Sequence, residues 1–376
     1  MQNLGVYVHI PFCLSRCAYC DFVSSVLKDD SDINTYVEHL LKEIDLLTQN
    51  GTFEDKVIDT VYFGGGTPSL LKTHYFRSIL ERLRLNRRGQ AKEVTIEANP
   101  ATITYEQLLE LKSLGINRIS LGVQSLNDKT LKAINRRHNA KEALEAIAIA
   151  EKTGLSISVD LMIGLPYQTN EDIKTFVDEV LKFNVKHISV YMLTLEDGTK
   201  LKSDFDKGLV SIPDDDTKIL MFDYAAKLLE DKGFKRYEVS NFAIPGFEAK
   251  HNMKYWTRDD YIGIGLNAHS LIGNKRFYDK ETFEEYYNDL DNNRLPHVLE
   301  ADLSENEIKE EYIMLGFRTN QGIFFKDYLQ KFGKDFLSEF KNSIDLHKDQ
   351  LIITDKNIYI KEQYLNVLNQ IVVDFI

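Results

Sequence analysis

All three cysteines of the 376-residue chain fall within eight positions, Cys13-Leu-Ser-Arg-Cys17-Ala-Tyr-Cys20. Structural cysteines behave as small hydrophobes and scatter through a core, so this clustering gives the thiols one shared job. Thiolates are the usual ligands of iron–sulfur clusters, and a cubane [4Fe–4S] cluster generally takes four. A CxxxCxxC loop offers only three. The fourth iron must then take a non-protein ligand, which makes it a place for chemistry. The competing reading is a Cys₃His zinc site that uses His9, four positions before Cys13. Zinc sites usually hold two ligand pairs a dozen or more residues apart, and this compact run does not fit that pattern.

Composition narrows the setting. Forty-six basic and 58 acidic side chains give a formal charge of −12, with a pI near 5.3. That balance argues against a broad nucleic-acid-binding face. No apolar run reaches the roughly 18 residues of a membrane span. The N-terminal MQNLGVYVHIPF lacks the basic and apolar regions of a secretory signal. A reducing cytoplasm is the expected compartment, where three clustered cysteines are not a disulfide framework.

The first two thirds of the chain must position this loop. Leu4–Ile10, Val57–Phe63, Glu93–Ala98, Asn117–Leu121, Leu155–Met162 and His187–Leu193 read as strands rich in Val, Ile and Tyr. Helical spacing occupies Ile33–Thr48, Ser69–Asn86, Tyr105–Leu114, Ala140–Lys152 and Glu171–Phe183. Thr104 and Asn170 are the expected caps, and Gly115 and Gly154 the expected stops. Repeated β-then-α units suggest an α/β fold, either a doubly wound sheet or a barrel; the glycine, Glu, Gln and Asp motifs after successive strands favour a partial (β/α)6 TIM-like barrel whose post-strand loops build the site. The expected domains are 1–200 for the barrel, 201–300 for an accessory α/β segment, and 301–376.

Within 201–300, Pro213-Asp-Asp-Asp216 should cap a helix to about Asp231, and Phe234–Asn241 reads as a strand. From Asp302 the pattern is three helices and then a hairpin, Leu351–Ile360, turning at Asp355-Lys-Asn357. This mostly helical, winged-helix-like segment holds 9 Lys/Arg against 13 Asp/Glu, so it lacks the footprint of DNA binding. Packing or a lid is its expected role.

Several residues after successive strands could bind a ligand. Phe63-Gly-Gly-Gly-Thr-Pro68 would let Gly65, Gly66 and Thr67 bring backbone close to a polar group. Glu97 sits among apolar neighbours, where a carboxylate is costly unless it binds something. Gln124 can donate and accept. Asp160 lies in the almost wholly apolar Val-Asp-Leu-Met-Ile-Gly-Leu-Pro166. Taken alone, Arg136 of Asn-Arg-Arg-His138 would be a surface arginine.

The run Tyr7-Val-His-Ile-Pro-Phe-Cys13…Cys17…Tyr19-Cys20 resembles the start of a radical S-adenosylmethionine (SAM) enzyme of the oxygen-independent coproporphyrinogen III oxidase family. The resemblance implies a [4Fe–4S] cluster whose open iron chelates SAM, and a 5′-deoxyadenosyl radical on reduction. It assigns SAM contacts to Tyr7, Tyr19, Gly65, Gly66, Thr67, Glu97, Gln124, Arg136 and Asp160, with Arg137 as the alternative to Arg136. In the oxidases the last three positions contact a second SAM.

Two departures distinguish the branch. The oxidases have a fourth cysteine two places after the third, where this chain has Asp21-Phe22. They also carry a long segment before the cluster, where only 12 residues precede Cys13. Both features look like the HemW branch of haem chaperones, as do His251-Asn-Met-Lys-Tyr255-Trp256 and Tyr261-Ile-Gly-Ile-Gly-Leu-Asn-Ala-His269. Neutral imidazole binds haem iron well, so His251 is the candidate ligand, with Tyr255 and Trp256 against the macrocycle and His269 as a weaker choice. The competing reading makes His251 a hydrogen-bonded structural residue. The resemblance implies haem as cargo, apo-haemoproteins such as respiratory enzymes as recipients, and an electron donor if radical chemistry occurs. It leaves peripheral membrane contact open. The alternative function is coproporphyrinogen III oxidation; a radical enzyme acting on an unrelated substrate is a third reading.

Overall fold

The computed structural model describes residues 2–83 and 91–376. Six parallel strands run side by side in sequence order: β1 (Gln2–Ile10), β2 (Lys56–Gly65), β3 (Glu93–Ala98), β4 (Arg118–Gln124), β5 (Ser156–Ile163) and β6 (Val185–Met192). Helices α1 (Asp30–Gln49), α2 (Thr73–Arg82), α3 (Tyr105–Ser113), α4 (Asp128–Ala133), α5 (Ala140–Thr153) and α6 (Asn170–Val180) lie between them. This is the expected α/β partial barrel.

Strand alternation explains why it closes around a polar interior. In β1, Leu4, Val6, Val8 and Ile10 are fully buried in the apolar core shared with the helices, and Gly5, Tyr7 and His9 alternate with them. In β5, Ile157, Val159, Leu161 and Ile163 do the same. Ser158 and Asp160 point the other way, into a cavity shared with Tyr62, Thr95, Glu97, Arg118, Ser120 and His187. Side chains on a strand alternate between faces, so each strand contributes one apolar and one polar row. The near-continuous apolar appearance of these strands conceals that division.

Some local expectations shift. Thr169, not Asn170, caps α6, because its hydroxyl accepts from the Asp172 amide while Asp172 accepts from the Thr169 amide. The run Ser69–Asn86 is a 3-10 turn at Pro68–Leu70 followed by α2, and residues 84–86 lie outside the described residues. The single strand expected over Phe234–Asn241 is instead a hairpin of β7 (Lys235–Arg236) and β8 (Asn241–Ala243). It folds back because the Ser240 amide bonds the Glu238 carboxylate at 3.1 Å and the Tyr237 amide bonds the Asn241 carbonyl at 3.1 Å.

Segment 201–300 extends both edges of the same sheet. Helices α7 (Lys200–Asp206) and α8 (Asp215–Asp231) precede β7, and β8 pairs antiparallel with β6. Helix α9 (Lys250–Thr257) leads to β9 (Tyr261–Ile264), which pairs parallel with the far side of β1. Then β10 (His269–Ile272), β11 (Lys275–Asp279), α10 (Phe283–Asp291) and β12 (His297–Asp302) follow. Among the described residues the sheet has twelve strands, ordered β12-β11-β10-β9-β1-β2-β3-β4-β5-β6-β8-β7.

The C-terminal segment starts with α11 (Glu305–Gly316) and has its own core around Ile313, Phe317, Tyr328 and Phe336. A hairpin of Leu351–Ile353 and Asn357–Ile360 joins Ile323–Phe324 in a three-stranded wing. Arg258 and Arg276 both pair with Glu311, which ties α11 to the sheet. No helix among the described residues is long and apolar enough to cross a membrane.

Candidate functional site

The carboxyl ends of β1–β6 open into a cavity of about 420 Å³. Cys13, Cys17, Cys20, Tyr19, Gly65, Gly66, Thr67, Glu97, Gln124, Arg136 and Asp160 all line it. Residues spread over nearly 150 positions thus meet at the face where a βα-barrel builds its site.

The cysteine loop is held at both ends. Phe12–Cys13 pairs with Ser25–Val26 as a short parallel ladder. Ala18 donates to the Ile134 carbonyl at 3.0 Å, Leu201 donates to the Ala18 carbonyl at 2.7 Å, and Asn135 donates to the Arg16 carbonyl at 2.7 Å. Donors reach all three sulfurs: the Thr67 hydroxyl to Cys13 Sγ at 3.6 Å and Arg136 Nη1 to Cys17 Sγ at 3.3 Å, with the Ser24 side chain also at Cys13 and the Phe22 backbone at Cys20. Burial raises the thiol pKa of Cys13 and Cys20, and those donors oppose it at Cys13.

The spacing of the thiols bears on the ion. Tetrahedral zinc with Zn–S near 2.3 Å requires sulfurs about 3.8 Å apart. Among the described residues, the three cysteines do not form a set whose ligand atoms all lie within 4.8 Å of one another. His9 offers no fourth ligand. Its Nε2 donates to the Val23 carbonyl at 3.0 Å, so its Nδ1 is the acceptor for the Tyr7 hydroxyl at 3.0 Å.

The glycine segment needs its glycines. Gly65 has φ +110°, and a Cβ there would lie 2.5 Å from the His9 ring. Its amide donates to Glu97 Oε2 at 3.1 Å, and the Tyr62 hydroxyl donates to Glu97 Oε1 at 2.7 Å. Burial pushes the Glu97 carboxyl up to about 7, with the nearby Asp160 charge adding to it. Burial likewise raises Asp160 to about 6, although Ser189 and Ser120 donate to it.

At the end of β4 a register irregularity re-aims Gln124, whose φ of +68° lies in the left-handed region. A non-glycine residue held there is strained, a condition that tends to persist at ligand sites. Gln124 Oε1 and Arg136 Nε are both buried without a hydrogen-bond partner. Buried polar atoms left unpaired in a cavity wall fit a bound polar ligand. Arg136 also donates to the Gly122 carbonyl, so it belongs to the cavity, whereas Arg137 is exposed and outside it.

Tyr7 is not in the cavity wall. It stacks on Tyr62 with ring centroids 6.2 Å apart and props His9, so it supports the glycine segment from behind. Sequence reasoning missed Tyr62, Ser120, Tyr191 and Met192. Of these, Tyr62 had a signal, since it stands two residues before the glycine triplet on the same face as Gly64.

The His251 motif lies at the other end of the barrel. Helix α9 covers the start of the strands, with the Glu93 carboxylate accepting from the Lys250 and His251 amides at 3.0 and 2.9 Å. His251 is 0% exposed. Its Nδ1 meets the Thr60 hydroxyl and its Nε2 the Tyr255 hydroxyl, each at 2.9 Å, and its ring stacks on Tyr62. Neither nitrogen is free to reach iron. Burial, with the Lys254 charge, lowers its pKa to about 3. Trp256 is half-buried on the same helix. His269 is exposed on β10, stacked on Tyr278. The structure therefore does not bring the three expected haem residues into an open site.

A model of the radical SAM superfamily matches residues 7–180, and one of the HemN C-terminal domain matches residues 303–360. The haem chaperone HemW of Lactococcus lactis subsp. lactis is 34% identical over 358 residues, covering 94% of this chain and 91% of that protein. The chain belongs to the HemW family of the radical SAM superfamily. The Escherichia coli haem chaperone HemW is 38% identical over 275 residues, 72% of this chain and 71% of its own. Among solved structures, coproporphyrinogen III oxidase (HemN) of Escherichia coli matches with a TM-score of 0.84 at 22% identity. That match covers 100% of this chain and 90% of HemN, and establishes the shared fold. Membership in the radical SAM superfamily implies a [4Fe–4S] cluster and SAM. The three thiols and the unpaired Gln124 and Arg136 atoms of this HemW-family chain fit both.

Proposed function

We propose that the chain is a haem chaperone that binds haem and delivers it to apo-haemoproteins. The observation that carries this reading is its likeness, over 94% of its length, to a protein named a haem chaperone. Asp21-Phe22, where the oxidases place a fourth cysteine, supports it. In this reading Cys13, Cys17 and Cys20 hold the cluster. Gly65, Gly66, Thr67, Glu97, Gln124, Arg136 and Asp160 hold SAM, with Tyr19 beside the thiols. A bound cluster supplies the open iron that SAM chelates. A cytoplasmic setting and an electron donor for the cluster complete the reading.

The macrocycle docks at the cavity mouth rather than at His251. Phe22 is 65% exposed, and it lines the cavity together with the exposed Tyr191 and Met192. These side chains offer flat or soft apolar surface, and thioether and phenol are known haem-ligand types.

The deciding experiment is anaerobic cluster reconstitution, followed in parallel by haem binding, transfer to an apo-haemoprotein, and incubation with coproporphyrinogen III, SAM and a reductant. Soret absorption that moves to the acceptor, with no protoporphyrinogen formed, is the expected result. Failure to bind or pass on haem sinks the proposal, and protoporphyrinogen formation would replace it with the oxidase reading.

SAM binding should also depend on pH through Glu97. Its carboxyl is raised to about 7, so below that pH it is largely protonated and must lose a proton to face the cationic amine of SAM. Affinity should fall as pH drops below about 7, by up to about tenfold per unit. Anaerobic calorimetry between pH 5.5 and 7.5 checks this. Glu97→Gln should bind weakly and keep only the dependence that Asp160, raised to about 6, contributes at lower pH; an unchanged profile about pH 7 in that variant would remove Glu97 from the role.

A further inference from the structure

Away from the cavity, three chemistry-bearing side chains converge beneath α1. Glu43 comes from α1, Asp279 ends β11, and His297 begins β12 directly opposite Asp279 in the ladder. One ligand atom from each lies within 4.8 Å of the other two. Glu43 and Asp279 are 0% and 1% exposed.

Their hydrogen bonds are incomplete in a way that points inward. Glu43 Oε2 is held by the Gly265 amide at 3.0 Å and the Tyr286 hydroxyl at 2.6 Å. The Glu43 and Asp279 carboxyl groups meet each other, and neither Glu43 Oε1 nor Asp279 Oδ2 receives an N–H or hydroxyl donor. His297 Nε2, 3.5 Å from Asp279 Oδ1, has no hydrogen bond either. Among the described residues, neither carboxylate pairs with Lys or Arg. Two facing carboxylates in a dry interior cannot both stay ionised without something positive between them. A shared proton would satisfy the carboxyls but leave the imidazole nitrogen without a function.

We propose that Glu43, Asp279 and His297 form a binding site for a divalent first-row transition ion. Two carboxylate oxygens and one imidazole are the donor set of zinc and manganese sites rather than of thiolate-bound iron. The ion would brace α1 against the paired ends of β11 and β12. On the same helix the Tyr36 hydroxyl already links the end of β1 to the loop after β9, donating to the His9 carbonyl at 2.7 Å and accepting from the Leu266 amide at 3.1 Å. This site is separate from the cysteines and does not depend on the haem reading.

The test uses the full chain with its cluster already loaded, so the thiols are occupied. Mn²⁺ is titrated and followed by its electron paramagnetic resonance, then displaced with Zn²⁺. One Mn²⁺ per chain should bind at micromolar concentration, and Zn²⁺ should raise the melting temperature. His297→Ala, a change at the partly exposed corner, should weaken binding by at least roughly 10-fold. Asp279→Asn should abolish binding, and Glu43→Gln, which keeps the shape and can hydrogen-bond the facing carboxylate, should do so without lowering the ion-free melting temperature. Absence of Mn²⁺ and Zn²⁺ binding in the wild type, or binding as tight as the wild type's in His297→Ala or Asp279→Asn, overturns the proposal and leaves a proton-sharing pair.

Discussion

Replacing His251 by alanine is expected to lower the melting temperature by roughly 3–8 °C while leaving haem uptake per folded molecule unchanged. The imidazole bridges the Thr60 and Tyr255 hydroxyls inside a closed helix–barrel junction. Its removal strands two buried hydroxyls, each costing about 1–3 kcal/mol, and deletes the ring stacked on Tyr62. The effect carries a pH signature. The folded pKa of His251 is lowered to about 3, below its ordinary value of about 6.5, so the unfolded state takes up the proton first. Its stabilisation is fully present above about pH 6.5 and is lost as pH falls toward 3. The stability gap between wild type and variant should shrink over that window. His251→Gln, which can restore one hydrogen bond, should recover part of the loss. Calorimetric unfolding and Soret titration of the same samples measure both quantities. A variant with wild-type stability and no Soret absorption would make His251 the haem ligand and refute the structural role.

His251 also shows where sequence reading reaches its limit. The motif's residue types suit a metal ligand, but type does not reveal which end of a barrel a helix covers. That depends on Glu93, which caps α9 from more than 150 positions away. The cysteine loop was legible because its chemistry lies in local spacing, and the six strands because Val and Ile mark them. Glu97 and Asp160 stood out as carboxylates in apolar runs, and the alternation of β3 and β5 explains them: each strand's polar row faces the lumen. Tyr7 lies on the corresponding row of β1 but outside the cavity wall, and depth along a strand is not written in composition. The Phe234–Asn241 hairpin was missed because a buried glutamate, Glu238, makes the turn where exposed turn residues would have signalled it. The Glu43–Asp279–His297 group left no local trace, since its members come from three separated elements.

Arg136→Ala is expected to weaken SAM binding by roughly 10- to 150-fold and to shift the cluster's reduction potential to more negative values. The fold-change corresponds to losing one or more charge-assisted hydrogen bonds of about 1.5–3 kcal/mol. The guanidinium faces Cys17 Sγ and the Gly122 carbonyl at once, and its Nε remains unpaired in the cavity wall. A fixed positive charge beside a thiolate ligand stabilises the negative charge added on reduction, so removing it disfavours the reduced cluster. Arg136→Lys separates the two effects. A lysine restores the charge but not the planar fork, so the potential should return most of the way while SAM affinity stays low. Anaerobic redox titration and SAM calorimetry on the reconstituted variants measure the two independently. If Arg136→Ala changes neither, the residue only pins β4 through Gly122. If Arg136→Lys restores both, a point charge suffices and the fork geometry has no part in binding SAM.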